Sequence, residues 1–414
     1  MNEIISIYLN INCQTLNLLD TISSKNTLPM PEYKSFIHSK LPAVGTTIFT
    51  VMSKLAADNN AINLSQGFPD FNCSDELITL VHQYMKKGLN QYAPMQGAPI
   101  LRERISEMLQ SLYGTSYHPD SEITITAGAT QGIYTAISAV VREGDEVVII
   151  EPAYDCYAPA VEMNGGKPVF VQLKQPNFSI DWNTVKKVIN RKTRMIIVNT
   201  PHNPSGTVLS EKDMQQLEQL TKNTDIVVLS DEVYEHMCLT DAPHQSAARF
   251  KGLAERSIIV SSFGKTVHTT GWKIGYVAAP ANLMVEFRKV HQFLVFTCNT
   301  PVQYALADFL KHKENYTGVK DFYLKKRDLF IELIKTSRFN FTPSTGTYFQ
   351  LLNYSNISEE KDKDFAIRLT KDFKLASIPL SVFYSKNTDN KLLRFCFAKK
   401  DETLEKAAEI ICKI

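Results

Sequence analysis

From Glu122 onward the chain alternates runs of consecutive apolar and β-branched residues with stretches whose apolar positions recur every three or four residues. The runs include "ITITAGA", "EVVIIEPAY", "KPVFVQL", "RMIIVNTP", "DIVVLSDEVY" and "SIIVSSF", and the stretches between them include "GIYTAISAVVREG" and "SEKDMQQLEQLTKNT". A strand that is apolar on nearly every residue is buried on both faces, which requires a mainly parallel sheet with helices on either side. The pattern therefore predicts an α/β domain. After "GWKIGYVAAP" come long helical patterns, roughly residues 282–337, and then a second α/β-like unit containing "TGTYFQLLNY", "DFAIRLTKDF", "IPLSVFY" and "LLRFCFAKK". The expected organisation is an N-terminal extension or arm (1–37), a segment that packs with a small domain (38–75), a large domain (76–315) and a small C-terminal domain (316–414).

Composition narrows the partners. Among 414 residues, 45 Lys and Arg balance 43 Asp and Glu, so the net charge of +2 provides no large field for steering onto nucleic acid or an anionic membrane. No stretch of about eighteen unbroken apolar residues spans a bilayer. The seven cysteines are scattered singly, without a Cys-x-x-Cys pair or metal-ligand spacing, which fits a reducing compartment. The N-terminal run is interrupted by Asn, Gln and Glu, and its first basic residue is Lys25, so it lacks the marks of a signal or transit peptide. A cytoplasmic location and a small-molecule partner are expected, with Met30 as an alternative start.

In open parallel sheets ligands bind beyond the carboxyl ends of the strands, so the residues after each run carry the chemistry. One such end, "SSFGKTVHTTGWKIGY", holds two lysines, Lys265 and Lys273. Its Gly-Lys-Thr triplet is not a phosphate loop, because the required first glycine falls on Ile259. A lysine desolvated at a strand end can instead supply a neutral amine that condenses with an aldehyde. Taken alone, such a lysine is more often a solvated turn residue. Its company alters that balance, since an aldehyde cofactor acting as an electron sink needs an acid at its ring nitrogen, donors at its ring oxygen and an anion site. Asp231 closes an apolar strand where an unpaired carboxylate is costly, Tyr234 and Asn203 can donate to a ring oxygen, and "GAT" (128–130) opens a helix whose free N–H groups suit a phosphate.

Jointly, "NTPHNPSG", "SDEVYEH", "SSFGKTVHTTGWKIGY" and "LLRFCFAK", in this order, resemble the class I and II aminotransferases of fold type I. Within them, "INLSQGFPDF", "NQYAPMQGAPILRERI", "GTYF" and "IPLSVFY" resemble the branch of methionine, kynurenine and glutamine aminotransferases. The resemblance covers about residues 38–414. It implies the aspartate aminotransferase-like fold, with a mainly parallel seven-stranded sheet and a smaller α/β domain, and pyridoxal 5'-phosphate as cofactor.

The same resemblance implies roles. Lys265 would bond to the cofactor aldehyde and, once released, move the proton at the substrate α-carbon. Asp231 would keep the ring nitrogen protonated, Asn203 and Tyr234 would bind the ring oxygen, and Tyr154 would stack on the ring. Ala129, Thr130, Ser262 and Lys273 would hold the phosphate. Lys273 stands where aspartate aminotransferases carry an arginine, so a single donor replaces a bidentate fork. Tyr92 would reach the neighbouring subunit's phosphate, implying a homodimer. Arg394 would bind the substrate α-carboxylate, with a structural ion pair as its alternative reading, and Gly67 and Tyr348 would line the substrate pocket beside Asn203 and Tyr154. With no second arginine in a matching motif and Phe68 nearby, an apolar, sulfur-containing or aromatic amino acid is expected as donor to a 2-oxo acid, by a ping-pong route. Cysteine-S-conjugate β-lyase chemistry at the same site is the alternative. A non-catalytic ligand-sensing domain is disfavoured, because no helix-turn-helix or basic arm precedes residue 38.

Overall fold

The computed structural model describes residues 31–33 and 35–414; the N-terminal expectations for residues 1–29 lie outside them. Residues 43–414 constitute one unit. Its main sheet has seven strands: β2 (Ile123–Thr126), β3 (Glu146–Glu151), β4 (Lys167–Gln172), β5 (Thr193–Asn199), β6 (Val227–Asp231), β7 (Ser257–Ser262) and β8 (Gly275–Ala278). β1 is the two-residue strand Ile62–Asn63, which belongs elsewhere. The order across the sheet is β2-β8-β7-β6-β5-β3-β4, and all neighbours are parallel except β8, which runs antiparallel to β2 and β7.

The alternation along each central strand explains why these runs read as uniformly apolar. In β3, Val148 and Ile150 enter one core while Val147 and Ile149 enter the other; in β5 the pairs are Ile196 and Val198 against Met195 and Ile197. Both faces are therefore dry, and helices must cover each. Residues of the helices Ala129–Val140, Tyr157–Met163 and Ala281–Leu294 complete one core, and those of Pro99–Tyr113, Glu211–Thr221, Thr300–Phe309 and Val319–Ile334 contribute to the other. The helix Glu211–Thr221 starts where the sequence directs it, at a capping box between Ser210 and Asp213. Among the described residues, no helix is long and apolar enough to cross a membrane.

Two small sheets complete the unit. β1 pairs in parallel with β10 (Leu375–Ala376), and β12 (Leu392–Cys396) lies between β11 (Ile378–Pro379) and β9 (Phe349–Asn353), antiparallel to both. The segment after β1 continues along β12, where Cys396 N–H donates to the Leu64 carbonyl at 2.8 Å. That seam carries residues 64–67 to the carboxyl edge of the main sheet.

Candidate active site

A cavity of about 330 Å³ lies beyond the ends of β5, β6 and β7. Because β8 is antiparallel, its N-terminal end opens at the same edge, so Lys273 joins Ser262 and the start of the helix Ala129–Val140 there.

One end of the cavity is an anion cradle. Gly128 precedes that helix with φ +78°, and no side chain caps its first turn. A Cβ on Gly128 would lie 3.1 Å from Lys273 Nζ, and one on Gly275 would meet the Ser261 carbonyl at 2.5 Å and the Ala129 nitrogen at 3.2 Å. Two glycines thus let backbone and ammonium converge where helix N–H groups are unclaimed. Ser262 and Thr270 line the same end.

At the floor, Asp231 ends β6 and is 3 % exposed. Burial raises its carboxyl to about 6, opposed by hydrogen bonds from Tyr157 Oη at 2.5 Å and from the Val233 N–H at 3.3 Å. Asn199, at the end of β5, braces this floor: its amide donates to the Asp231 carbonyl at 2.9 Å and accepts from the Asn203 N–H at 2.8 Å. Burial also pushes the Tyr234 phenol well up, so it stays a protonated donor. Behind it the Glu235 carboxylate accepts from Tyr113 Oη at 2.5 Å, Tyr276 Oη at 2.7 Å and Ser261, tying the Tyr234 segment to β7 and β8.

Lys265 sits in the short helical turn Phe263–Thr266 after β7. Burial lowers its amine to about 8, with Arg394 and Lys273 adding to the effect and Asp231 opposing it. Arg394, on β12, is 1 % exposed and stacks at 3.9 Å on the Phe349 ring. Its Nη1 donates to Asn203 Oδ1 at 2.6 Å and its Nη2 to the Ser65 carbonyl at 3.2 Å, while Nε has no partner. Among the described residues no carboxylate forms a salt bridge with it, Asp155 acting on it only at longer range, so the buried guanidinium can take an anion.

The walls therefore include Lys265, Asp231, Asn203, Tyr234, Tyr154, Ala129, Thr130, Ser262, Lys273, Gly67 and Arg394. Tyr348 is fully buried and contacts Lys265 rather than the cavity. Tyr92 is 81 % exposed, outside the walls, with its ring edge-on to Phe296 at 5.3 Å. Phe68 borders a separate recess. Phe49, Gln66, Ile133, Asn199, Val233, Thr270 and Phe349 also line the walls and are not among the residues expected from the sequence. Asn199 and Thr270 stand inside the strand-end motifs and could have been found there; Phe49 comes from the helix Ile48–Asp58 and carries no local signal.

The model for "Aminotransferase class I and II" matches residues 59–411. The chain belongs to the class I and II aminotransferases. It is 48% identical over 372 residues to the methionine aminotransferase of Escherichia coli K12, covering 90% of this chain and 96% of that one. It is 34% identical over 407 residues to human kynurenine--oxoglutarate transaminase 3, covering 90% and 89%. Among solved structures, an Escherichia coli protein described as having a methionine aminotransferase function superposes with a TM-score of 0.90 at 47% identity, over 92% of this chain and 100% of the other. The aspartate aminotransferase fold extends further, with a Thermus thermophilus enzyme at TM-score 0.84 and 25% identity over 92% and 99%. This aminotransferase thus carries the family's fold, and its seven-stranded sheet agrees with the expectation from the sequence motifs.

Proposed function

We propose that this aminotransferase uses pyridoxal 5'-phosphate, held by the residues above, to move the amino group of an apolar, sulfur-containing or aromatic L-amino acid to a 2-oxo acid. The observation that carries the reading is a complementary set of unmatched groups around one cavity: a buried carboxylate without a cation, a buried guanidinium without a carboxylate, and an anion cradle. When bound, the cofactor supplies an aldehyde that condenses with amines and a protonated ring that accepts the electron pair left at the substrate α-carbon.

The residues of this chain do the rest. Asp231 offers a carboxylate, oriented by Tyr157, to a protonated ring nitrogen, and a cation there lowers its pKa and so reinforces its charge. Asn203 turns its Oδ1 to Arg394, which leaves its amide nitrogen as the donor available to the ring oxygen beside Tyr234. Tyr154, on the cavity wall, would cover one ring face. The first-turn N–H groups at Ala129 and Thr130, with the Ser262 hydroxyl, would donate hydrogen bonds to the phosphate, and Lys273 would supply the positive charge. Lys265, with its amine depressed toward neutrality, holds the nucleophilic amine and later takes and returns the α-proton.

Substrate choice follows from the charges. Among the described residues of this chain, the cations lining the cavity are Lys265, Lys273 and Arg394, each with a role, so none is spare for a side-chain carboxylate. Phe49, Ile133, Val233 and Phe349 offer apolar surface instead. Methionine is the first donor to test, in keeping with the Escherichia coli relative's name. A homodimer gives the exposed Tyr92 a place against the partner's phosphate end and covers Phe293, which is 85 % exposed. The described cysteines are all free, which supports a cytoplasmic setting.

The deciding experiment is a panel of amino acids and 2-oxo acids with wild type and Lys265→Ala. Wild type should absorb in the visible and turn over methionine or an aromatic donor; Lys265→Ala should lose both. Full turnover by Lys265→Ala would defeat the reading. Pyruvate and ammonia released from a cysteine conjugate faster than oxo acid from methionine would favour the lyase alternative.

A further inference from the structure

The Lys265 amine is held from one side by two uncharged oxygens. Its Nζ donates to the Gly67 carbonyl at 2.9 Å and to the Tyr348 hydroxyl at 2.7 Å, and that hydroxyl itself donates to the same Gly67 carbonyl. The three polar atoms close a triangle. Tyr348 has no accessible surface, and its ring is wedged edge-on against Tyr234 at 5.2 Å and beside Tyr323 at 5.5 Å. Gly67 borders the cavity and leaves no room for a side chain on the Phe349 side, since a Cβ there would strike that ring at 2.8 Å.

We propose that Tyr348 is a positioning residue which, with the Gly67 carbonyl, forms a dock for the Lys265 amine whenever that amine is not covalently engaged. The proposal rests on the reading of Lys265 as the covalent, proton-moving amine. A primary amine on a four-carbon stem has many rotamers, whereas proton transfer needs it within hydrogen-bond reach along a fixed direction. The phenol has the Gly67 carbonyl and the Tyr234 hydroxyl as its other hydrogen-bond partners, and toward the Lys265 ammonium its oxygen is the acceptor. Two neutral acceptors restrain the amine without the Coulombic hold of a carboxylate, and its remaining valence is left for the open side of the cavity. The other titratable groups around the amine are Cys396 and Arg394 from β12, Lys273 from the loop before β8, Asp231 from β6 and Tyr234, whose ring lies 5.6 Å away. All of these remain when Tyr348 loses its oxygen.

The test compares Tyr348→Phe and Tyr348→Met with Tyr323→Phe, a control whose buried hydroxyl has no partner. In cofactor-free protein, acetic anhydride labelling of Lys265 is followed by mass spectrometry from about pH 6 to about pH 10. An acceptor favours the charged amine, so both Tyr348 variants should lower the labelling midpoint by about one unit, and Tyr323→Phe should leave it in place. In loaded enzyme kcat should fall about 10-fold with KM for the amino acid within about two-fold, and the isotope effect with an α-deuterated donor should rise. Wild-type midpoints in the Tyr348 variants, or a shift in only one of them, would overturn the dock. Borohydride reduction of loaded wild type separates the two levels: an unmodified Lys265 peptide sinks the reading of Lys265 itself, whereas a modified one with unchanged Tyr348 variants sinks the dock alone.

Discussion

Tyr157 Oη donates a 2.5 Å hydrogen bond to Asp231 Oδ2, and both residues are nearly inaccessible to solvent. A hydrogen bond to a buried carboxylate favours its ionised form and fixes its direction. In Tyr157→Phe the carboxyl pKa, already raised to about 6 by burial, should rise further. In cofactor-free protein the affinity for the cofactor should then fall more steeply toward acidic pH, by about 10-fold near pH 6, because a protonated carboxyl no longer pairs with the ring nitrogen. Cofactor titration by absorbance across pH checks this; a pH dependence of affinity identical to wild type would remove Tyr157 from the machinery.

Arg394→Ala should raise KM for every amino acid alike, by about 100-fold, because the α-carboxylate is common to all of them. Steady-state kinetics with methionine, phenylalanine and glutamine provide the comparison. A defect confined to one donor would show that Arg394 reads the side chain instead.

The depressed Lys265 amine has a stability signature in cofactor-free protein. Its folded pKa of about 8 lies below the unfolded value of 10.5, so between them the unfolded chain binds more protons and stability rises with pH. The cost of burying the charge is full below about pH 8 and is relieved by about pH 10.5. Lys265→Met should therefore be more stable than wild type below about pH 8, by at most about 3 kcal/mol, with the difference shrinking toward alkaline pH. Urea unfolding of both proteins across this range measures it, and a difference independent of pH would contradict the depressed amine.

Gly128→Ala should strike the cofactor's phosphate end. Gly128 has φ +78°, and a Cβ there crowds Lys273 Nζ at 3.1 Å. Strain of about 1 kcal/mol is expected in the fold, with a larger effect on cofactor affinity, at least about 10-fold. Cofactor titration by absorbance tests this against thermal unfolding of the empty protein.

Much of the site was legible because strand-end chemistry is local. Asp231, Ser262 and Asn203 sit at or just past strands whose apolar runs are plain, and Lys265 and Lys273 fall in one sixteen-residue stretch. The direction of β8 was not legible: "GWKIGYVAAP" has no mark of running antiparallel, yet that direction brings Lys273 to the same edge as Ser262. Tyr157 was passed over although it lies three residues after Tyr154, because a tyrosine opening a helix reads equally well as core.

The sequence by itself determined the doubly covered sheet, the family and the residues that end each strand, since all of these follow from periodicity and contiguous motifs. Only the tertiary structure decided what those residues face. Gly67 and Lys265 are 198 residues apart, Tyr348 and Lys265 are 83 apart, and Asn203 and Arg394 are 191 apart. Such contacts depend on the seam along β12 and on packing that buries Tyr348 completely, and no local pattern encodes either. Burial then sets the chemistry, because the same lysine, carboxyl and phenol would keep ordinary pKa values in water and lose them only where the fold removes it.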